Sequence, residues 1–245
     1  MFILYIYEHP MKKLYQLVIV SLVLLSCNNQ EKGYILISEY DKQILEYFPA
    51  VTLGFDNSTI EAVTRKWAEE MKVYMYGNVS SSNLLELENV RDEINQLASD
   101  GFSISIVQDS TQANFFLFLG SSEEYVQRIP FFADLINGFT SYYYLNWNTS
   151  NQIRLSWCFV DVTRLDIIQQ NFYIRSVITR SLGFTRFSYL HYESIFSDSP
   201  WNGTDGYADI DRDLIRLMYH PDMKTGLSEG DSLNTVLLTI LMNEK

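Results

Sequence analysis

Asn-Phe-Tyr-Ile-Arg-Ser-Val-Ile-Thr-Arg-Ser-Leu-Gly-Phe-Thr-Arg, residues 171–186, is the stretch on which the fold turns. Ile174, Val177, Ile178, Ser181 and Leu182 recur at i, i+3, i+4, i+7 and i+8, which lays one apolar stripe along a helix. Gly183 stands where a left-handed C-cap would end that helix, because glycine takes positive φ with no Cβ penalty. The stretch predicts a core helix followed by a tight turn. Arg175, Arg180 and Arg186 fall off the stripe and suit the polar side of an amphipathic helix.

Outward from that helix toward the N-terminus, strand and helix signals alternate. The aromatic run 142–147 and the run 153–160 flank polar residues 148–151 and read as a hairpin. Residues 115–119 are apolar without a break, as a central strand covered on both faces requires. Phe102, Ile104 and Ile106 alternate with serines, giving a strand with one wet face. Residues 71–76 alternate likewise and end at Gly77. Between these strands, Asn83 with Glu86 resembles a capping box for a helix whose stripe is Leu87, Val90, Ile94 and Leu97, closed by Gly101. Ser121 with Glu124 caps a further helix that Pro130 ends. Residues 38–48 read as a helix and 51–55 as a strand. Past Gly183, residues 189–198 and 200–206 are loop-like. Asp209 then caps a helix with Ile210, Leu214, Leu217 and Met218 inward, stopped by Pro221, and Asp231 caps a last helix. The expected class is α+β, a mixed sheet with packed helices and a small helical C-terminal part.

A chain of 245 residues is long enough for one sizeable core, and 47% hydrophobic with 15% aromatic residues predicts a packed globular body. A formal charge of −12 with no Lys/Arg cluster excludes a phosphate backbone, so no nucleic-acid partner is expected. Lys12 and Lys13 precede the apolar run 14–25, which is too short to span a bilayer and reads as a signal-peptide core. Leu-Leu-Ser-Cys at 24–27 resembles a bacterial lipobox, which implies cleavage before Cys27 and lipid on that cysteine. An uncleaved anchor is the alternative. The expected division is a signal peptide over 1–26, with Met11 a more natural start than Met1, a tether over 27–32, and one domain over 33–245. The membrane is then a partner through the lipid on Cys27. Asn28 is not the aspartate that commonly retains lipoproteins at an inner membrane, which favours an outer-membrane location. Cys158, left without a partner in the apolar run 155–162, reads as a buried inert thiol. Asn57, Asn78, Asn148 and Asn202 head Asn-x-Ser/Thr triplets, which carry no weight in a bacterial chain.

The end of the organising helix, Arg-Ser-Leu-Gly-Phe-Thr-Arg at 180–186, has the spacing of the second half of the zinc-peptidase motif HExxHxxGxxH. In that register the ligand positions are Ser176, Arg180 and Arg186 and the base position is Val177, so every residue needed for zinc chemistry is replaced. A second resemblance covers residues 60–227. Leu-Gly-Phe at 182–184, Ser-Ile-Phe-Ser-Asp at 194–198 and Asp-Arg-Asp-Leu-Ile-Arg-Leu-Met-Tyr-His-Pro-Asp-Met-Lys-Thr-Gly-Leu at 211–227 resemble, in order, three boxes of an uncharacterised bacterial family of zincin-like domains. In that family Glu and Gln replace the zinc histidines, whereas here Arg180 stands in place of the glutamine. The resemblance implies a zincin-like fold.

Zinc chemistry takes neutral imidazoles, thiolates or carboxylates as ligands and a carboxylate as base, and an arginine side chain only donates. No catalytic residue, metal or cofactor is therefore expected. A zinc site built from His191, Glu193 and Asp198 is the enzyme alternative, while His220 before Pro221 reads as a surface residue and a Ser-His-Asp set through His191 has no nucleophile elbow. Arg180 is expected to take the place of the lost metal and hold Glu193 or Asp198 in bidentate pairs, pinning the loop. In zincins the strand bordering the active helix pairs with an extended peptide, which implies a groove beside the 142–159 hairpin for a peptide or protein partner. Packing is the competing explanation for Tyr142, Tyr143, Tyr144 and Trp147, and Trp201 in a Gly-rich loop would suit a sugar-binding surface. The expected role is a non-catalytic binding or structural protein of the cell envelope. A zinc metallopeptidase with a non-standard ligand set and a glycan-binding module are the alternatives.

Overall fold

Ser38 accepts a hydrogen bond from the Asp41 N–H and Asp41 accepts one from the Ser38 N–H, a capping box that starts α1, Glu39–Thr52. The computed structural model describes residues 37–244 apart from 57, 137, 200–202, 204 and 205, and their compact unit begins at Ser38. The segments 1–26 and 27–32, with Cys27, and the residue Trp201 lie outside the described residues. Residues 51–55 do not form the expected strand. Ile44, Tyr47, Phe48 and Val51 make one fully buried helical stripe that carries α1 past Pro49, so burial overrides the strand preference of the local sequence.

The strands are β1 (Lys66–Trp67), β2 (Met71–Gly77), β3 (Ile104–Ile106), β4 (Phe115–Gly120), β5 (Ser141–Trp147) and β6 (Gln152–Asp161). They form one mixed sheet in the order β1-β6-β4-β2-β3, all parallel, with β5 added antiparallel to β6. The unbroken apolar run at 115–119 is the middle of this sheet, paired with β2 on one side and β6 on the other. The aromatic hairpin is β5 and β6, and β5 is an edge strand with no second neighbour among the described residues.

The remaining helices are α2 (Ser81–Leu97), α3 (Ser122–Arg128), α4 (Ile167–Arg180), α5 (Asp209–Met218) and α6 (Asp231–Asn243). The α+β class and the mixed sheet thus hold. Three caps shift by a residue or more. Ser80, not Asn83, caps α2 with Asn83 returning the bond from the third position; Ala208 and Gly230 occupy the cap positions of α5 and α6, with Asp209 and Asp231 as first helical residues. Leu87, Val90 and Ile94 of α2 and Ile174, Val177 and Ile178 of α4 pack on the sheet face that carries Phe115, Leu117 and Leu119. On the opposite face Phe118, Phe159, Tyr125 and Phe132 form a separate aromatic layer under α3.

The helix expected in residues 171–186 is α4, which ends at Arg180 with Ser181 as its cap, and Gly183 takes φ 120° in the turn that follows rather than at the cap. A Cβ on Gly183 would stand 1.9 Å from the Arg65 carbonyl oxygen, so both conformation and space demand glycine. Arg175 and Arg180 are not a solvated face, because α4 is buried from Ile174 to its end. Arg175 is neutralised inside the protein by Glu86 at 2.7 Å and Glu93 at 2.9 Å, both on α2, and lies 4.5 Å from the Tyr207 ring centre.

The three boxes of the family resemblance converge. Phe184 stacks on Phe196 at 4.7 Å, and the Tyr219 hydroxyl donates to the Leu182 carbonyl at 2.9 Å. Asp211 accepts the Ser194 hydroxyl and the N–H groups of Ile195 and Ala208. Burial of Asp211 raises its carboxyl to about 6 despite these bonds. The boxes are therefore a set of long-range ties that fix the loop 187–199 against α4 and α5.

Candidate functional site

A cleft of about 450 Å³ opens between α4, the edge strand β5 and the loop 187–199. Ser176, Val177 and Arg180 of α4 line one wall and Ser141, Tyr142 and Tyr143 the other. Three of the four positions aligned with the zinc motif thus meet in one cavity. Arg186 does not join them: its guanidinium lies 3.4 Å from Asp56, and its backbone N–H donates to the Val51 carbonyl. A second cavity of about 450 Å³ continues along β5 toward Trp147 and shares Tyr143, Arg180 and Phe187 with the first.

The ladder phase of β5 decides which of its peptide groups face this cleft edge. The Asp161 N–H donates to the Thr140 carbonyl, so residues 140, 142, 144 and 146 point their N–H and C=O at β6. Ser141, Tyr143 and Leu145 therefore direct theirs outward, along the free edge. Side chains alternate too. Tyr142 and Tyr144 lie 6.1 and 5.8 Å from Phe132 on the α3 face, which bears out packing for those two rings. Tyr143 turns to the α4 face, and Trp147 stacks on Phe55 at 5.6 Å with the Arg65 guanidinium 4.6 Å from its ring.

Arg180 is 4% exposed. Its Nη2 donates to the Tyr143 hydroxyl oxygen at 3.1 Å and to the Thr185 carbonyl at 3.4 Å, and the Tyr143 hydroxyl donates to the same carbonyl at 3.0 Å. The Phe187 ring centre is 3.6 Å from the guanidinium carbon and that of Tyr143 is 5.0 Å away. Nε and Nη1 are buried with no partner among the described residues. The expected pairs with Glu193 and Asp198 are absent from the ion pairs described. Glu193 stays 61% exposed, 3.6 Å from His191, and Asp198 lines the cleft beside the Tyr189 hydroxyl. The loop is pinned instead by Ser194 and Asp211.

His191 and Glu193 are neighbours, but with Asp198 they do not form a site: among the described residues no three His, Cys, Asp or Glu side chains are grouped to hold a metal ion. Ser194 gives its hydroxyl proton directly to Asp211, and the His191 ring packs on Tyr47 at 4.6 Å, so no Ser-His-Asp relay exists there. His220 accepts the Asp222 N–H at 3.1 Å after the end of α5, a local turn contact. Cys158 is fully buried between Ser156 and Ser181, and burial pushes its thiol up to about 12, which keeps it an inert thiol at neutral pH. Tyr143, Thr185 and Phe187, which surround Arg180, were not singled out as its partners by sequence. Only their place in the hairpin and just after Gly183 hinted at them.

Among the described residues no helix is long and apolar enough to cross a membrane. No curated protein matches the chain. Residues 41–237, most of the chain, match the family described as a protein of unknown function (DUF2927), and the chain belongs to that family.

Proposed function

We propose that this chain is a lipid-anchored protein of the bacterial envelope, of zincin-like fold, whose cleft binds an extended peptide without cutting it. The observation that carries the reading is Arg180 on the cleft wall, in register with a zinc ligand, next to the free edge of β5. A permanently cationic donor repels a metal ion and activates no water, whereas the outward N–H and C=O groups of Ser141, Tyr143 and Leu145 suit strand addition. Each such backbone hydrogen bond contributes about 0.5–1.5 kcal/mol net. The cavity volume is of the size that small ligands and short peptide segments fill. A mixed sheet whose antiparallel edge strand borders the helix bearing the motif is the arrangement the zincin resemblance implies.

The anchor rests on Lys12, Lys13, the apolar run and Cys27, with the outer membrane favoured by Asn28. Mass spectrometry of the mature product is expected to find an acylated N-terminal Cys27; an unmodified Met11 or Lys12 there would remove the anchor from the account. Binding of the purified protein to peptide arrays, with glycan arrays alongside, tests the cleft. Peptide binding without hydrolysis is the expected result. Stoichiometric zinc lost on substitution of His191 or Glu193, with peptide cleavage, would establish the metallopeptidase instead. Binding confined to glycans would favour the sugar-surface alternative.

A further inference from the structure

Arg180 has more hydrogen-bonding capacity than its surroundings use. A guanidinium offers five N–H donors in one plane, and among the described residues only Nη2 has partners. The rings of Phe187 and Tyr143 attract the positive charge, but they leave the in-plane hydrogens of Nε and Nη1 without acceptors. A buried cation without a counter-charge is costly to the fold, and such costs are retained where a site is organised for a ligand. The chain's own acids do not fill the role, since neither Glu193, 61% exposed beside His191, nor Asp198 pairs with Arg180 among the described residues.

We infer that Arg180 is the receptor for a carboxylate brought into the cleft by the bound peptide, an inference that rests on the peptide reading above. A carboxylate presents two coplanar oxygens to a guanidinium, which suits in-plane donors. A dianion such as phosphate suits the site less. Asp198 lines the same cavity, the other walls are largely aromatic, and the whole chain carries a formal charge of −12. The carboxylate comes either from the peptide's C-terminus or from an aspartate or glutamate side chain. Nε and Nη1 are closed off from solvent, so a ligand reaches them by moving side chains of the cleft wall, and Phe187, 44% exposed, is the most exposed of those that touch the guanidinium.

The test titrates the purified protein with three hexapeptide pools of randomised uncharged residues, all N-acetylated. One ends in a free carboxylate, one in a carboxamide, and one carries an internal glutamate and a carboxamide end. The readout is binding affinity together with the Arg180 Nε–H resonance, assigned by its loss in Arg180→Met. One acid-bearing pool is expected to shift that resonance and to bind about ten- to a hundredfold more tightly than the uncharged pool. Which pool does so identifies the source of the carboxylate. Arg180→Met abolishes the difference, Arg180→Lys keeps part of it, and Phe187→Ala speeds association.

Equal binding of the uncharged pool with the resonance unmoved would overturn the carboxylate inference and leave the peptide reading intact. No pool binding, while sodium acetate still shifts the resonance, would keep the carboxylate receptor and remove the peptide. No effect of either overturns both. Tighter binding of inorganic phosphate than of acetate would overturn the choice of anion. A shift of the Arg180 resonance on Asp198→Asn in the ligand-free protein would show an internal pair and overturn the inference as well.

Discussion

Replacing Arg180 by Met separates a ligand receptor from a structural pin. The substitution removes stacking on Phe187 and Tyr143, a loss of about 1–2 kcal/mol for partly desolvated cation–π contacts. It also removes two Nη2 hydrogen bonds of 3.1 and 3.4 Å, together about 1–2 kcal/mol at those lengths. The Thr185 carbonyl keeps the Tyr143 hydroxyl as donor, and that hydroxyl, which loses Nη2, keeps its own bond to the carbonyl. Against this, the substitution relieves the desolvation of a buried cation with two unsatisfied nitrogens, about 5 kcal/mol after relaxation. An unbranched thioether follows the path of the arginine stem and refills its space. The balance is a gain of about 2 kcal/mol, or roughly 4–8 °C in Tm for a domain of this size. Urea and thermal unfolding at pH 7 without ligand measure it, with Arg180→Lys as the control that keeps the charge. A loss of about 3 kcal/mol or more would refute the reasoning, since that is the signature of a broken buried ion pair.

Three further outcomes follow from the same geometry. Gly183→Ala puts a Cβ 1.9 Å from the Arg65 carbonyl oxygen at φ 120° and is expected to cost about 3 kcal/mol or more; a urea midpoint shift equivalent to less than about 1 would contradict the close approach. Ser141→Pro removes an outward N–H at the first position of β5, so the fold should be kept while peptide affinity drops about fivefold; unchanged affinity counts against strand addition. Asp211 ionises near 6 when folded against 3.8 for the free side chain, so the native state holds the proton more tightly. Its contribution to stability is present below about pH 4 and falls by about 3 kcal/mol as pH rises through 6. Asp211→Asn should flatten the urea midpoint between pH 4 and 7, and a variant that keeps the wild-type slope would assign it to other groups.

Periodicity carried most of the architecture. The stripe of α4, the unbroken run of β4 and the paired aromatic runs of β5 and β6 are local signals of 3.6 and 2 residues, and burial reinforces them. The end of α1 was hidden because Val51 and Thr52 favour strand locally, and only the distant packing of Tyr47 and Phe48 keeps them helical. Ser80 was missed as a cap because Asn83, three residues on, is itself a good capping residue. At the site, sequence spacing put Ser176, Val177 and Arg180 on one wall but gave no view of what faces them. Tyr143 lies 37 residues from Arg180 and meets it only through the sheet, while of the acids expected at Arg180, Glu193 sits exposed beside His191 and Asp198 shares the cleft without an ion pair to it. The 194–198 and 211–227 boxes were visible as text. That Ser194 and Asp211 tie them together needed the fold.

Native mass spectrometry of the protein, incubated with zinc and with the tightest hexapeptide from the pools, tests the central claim most directly. One intact peptide per chain is expected, held through Arg180 and lost in Arg180→Met, with no zinc retained in the cleft. One zinc per chain accompanied by shortened peptide would contradict it.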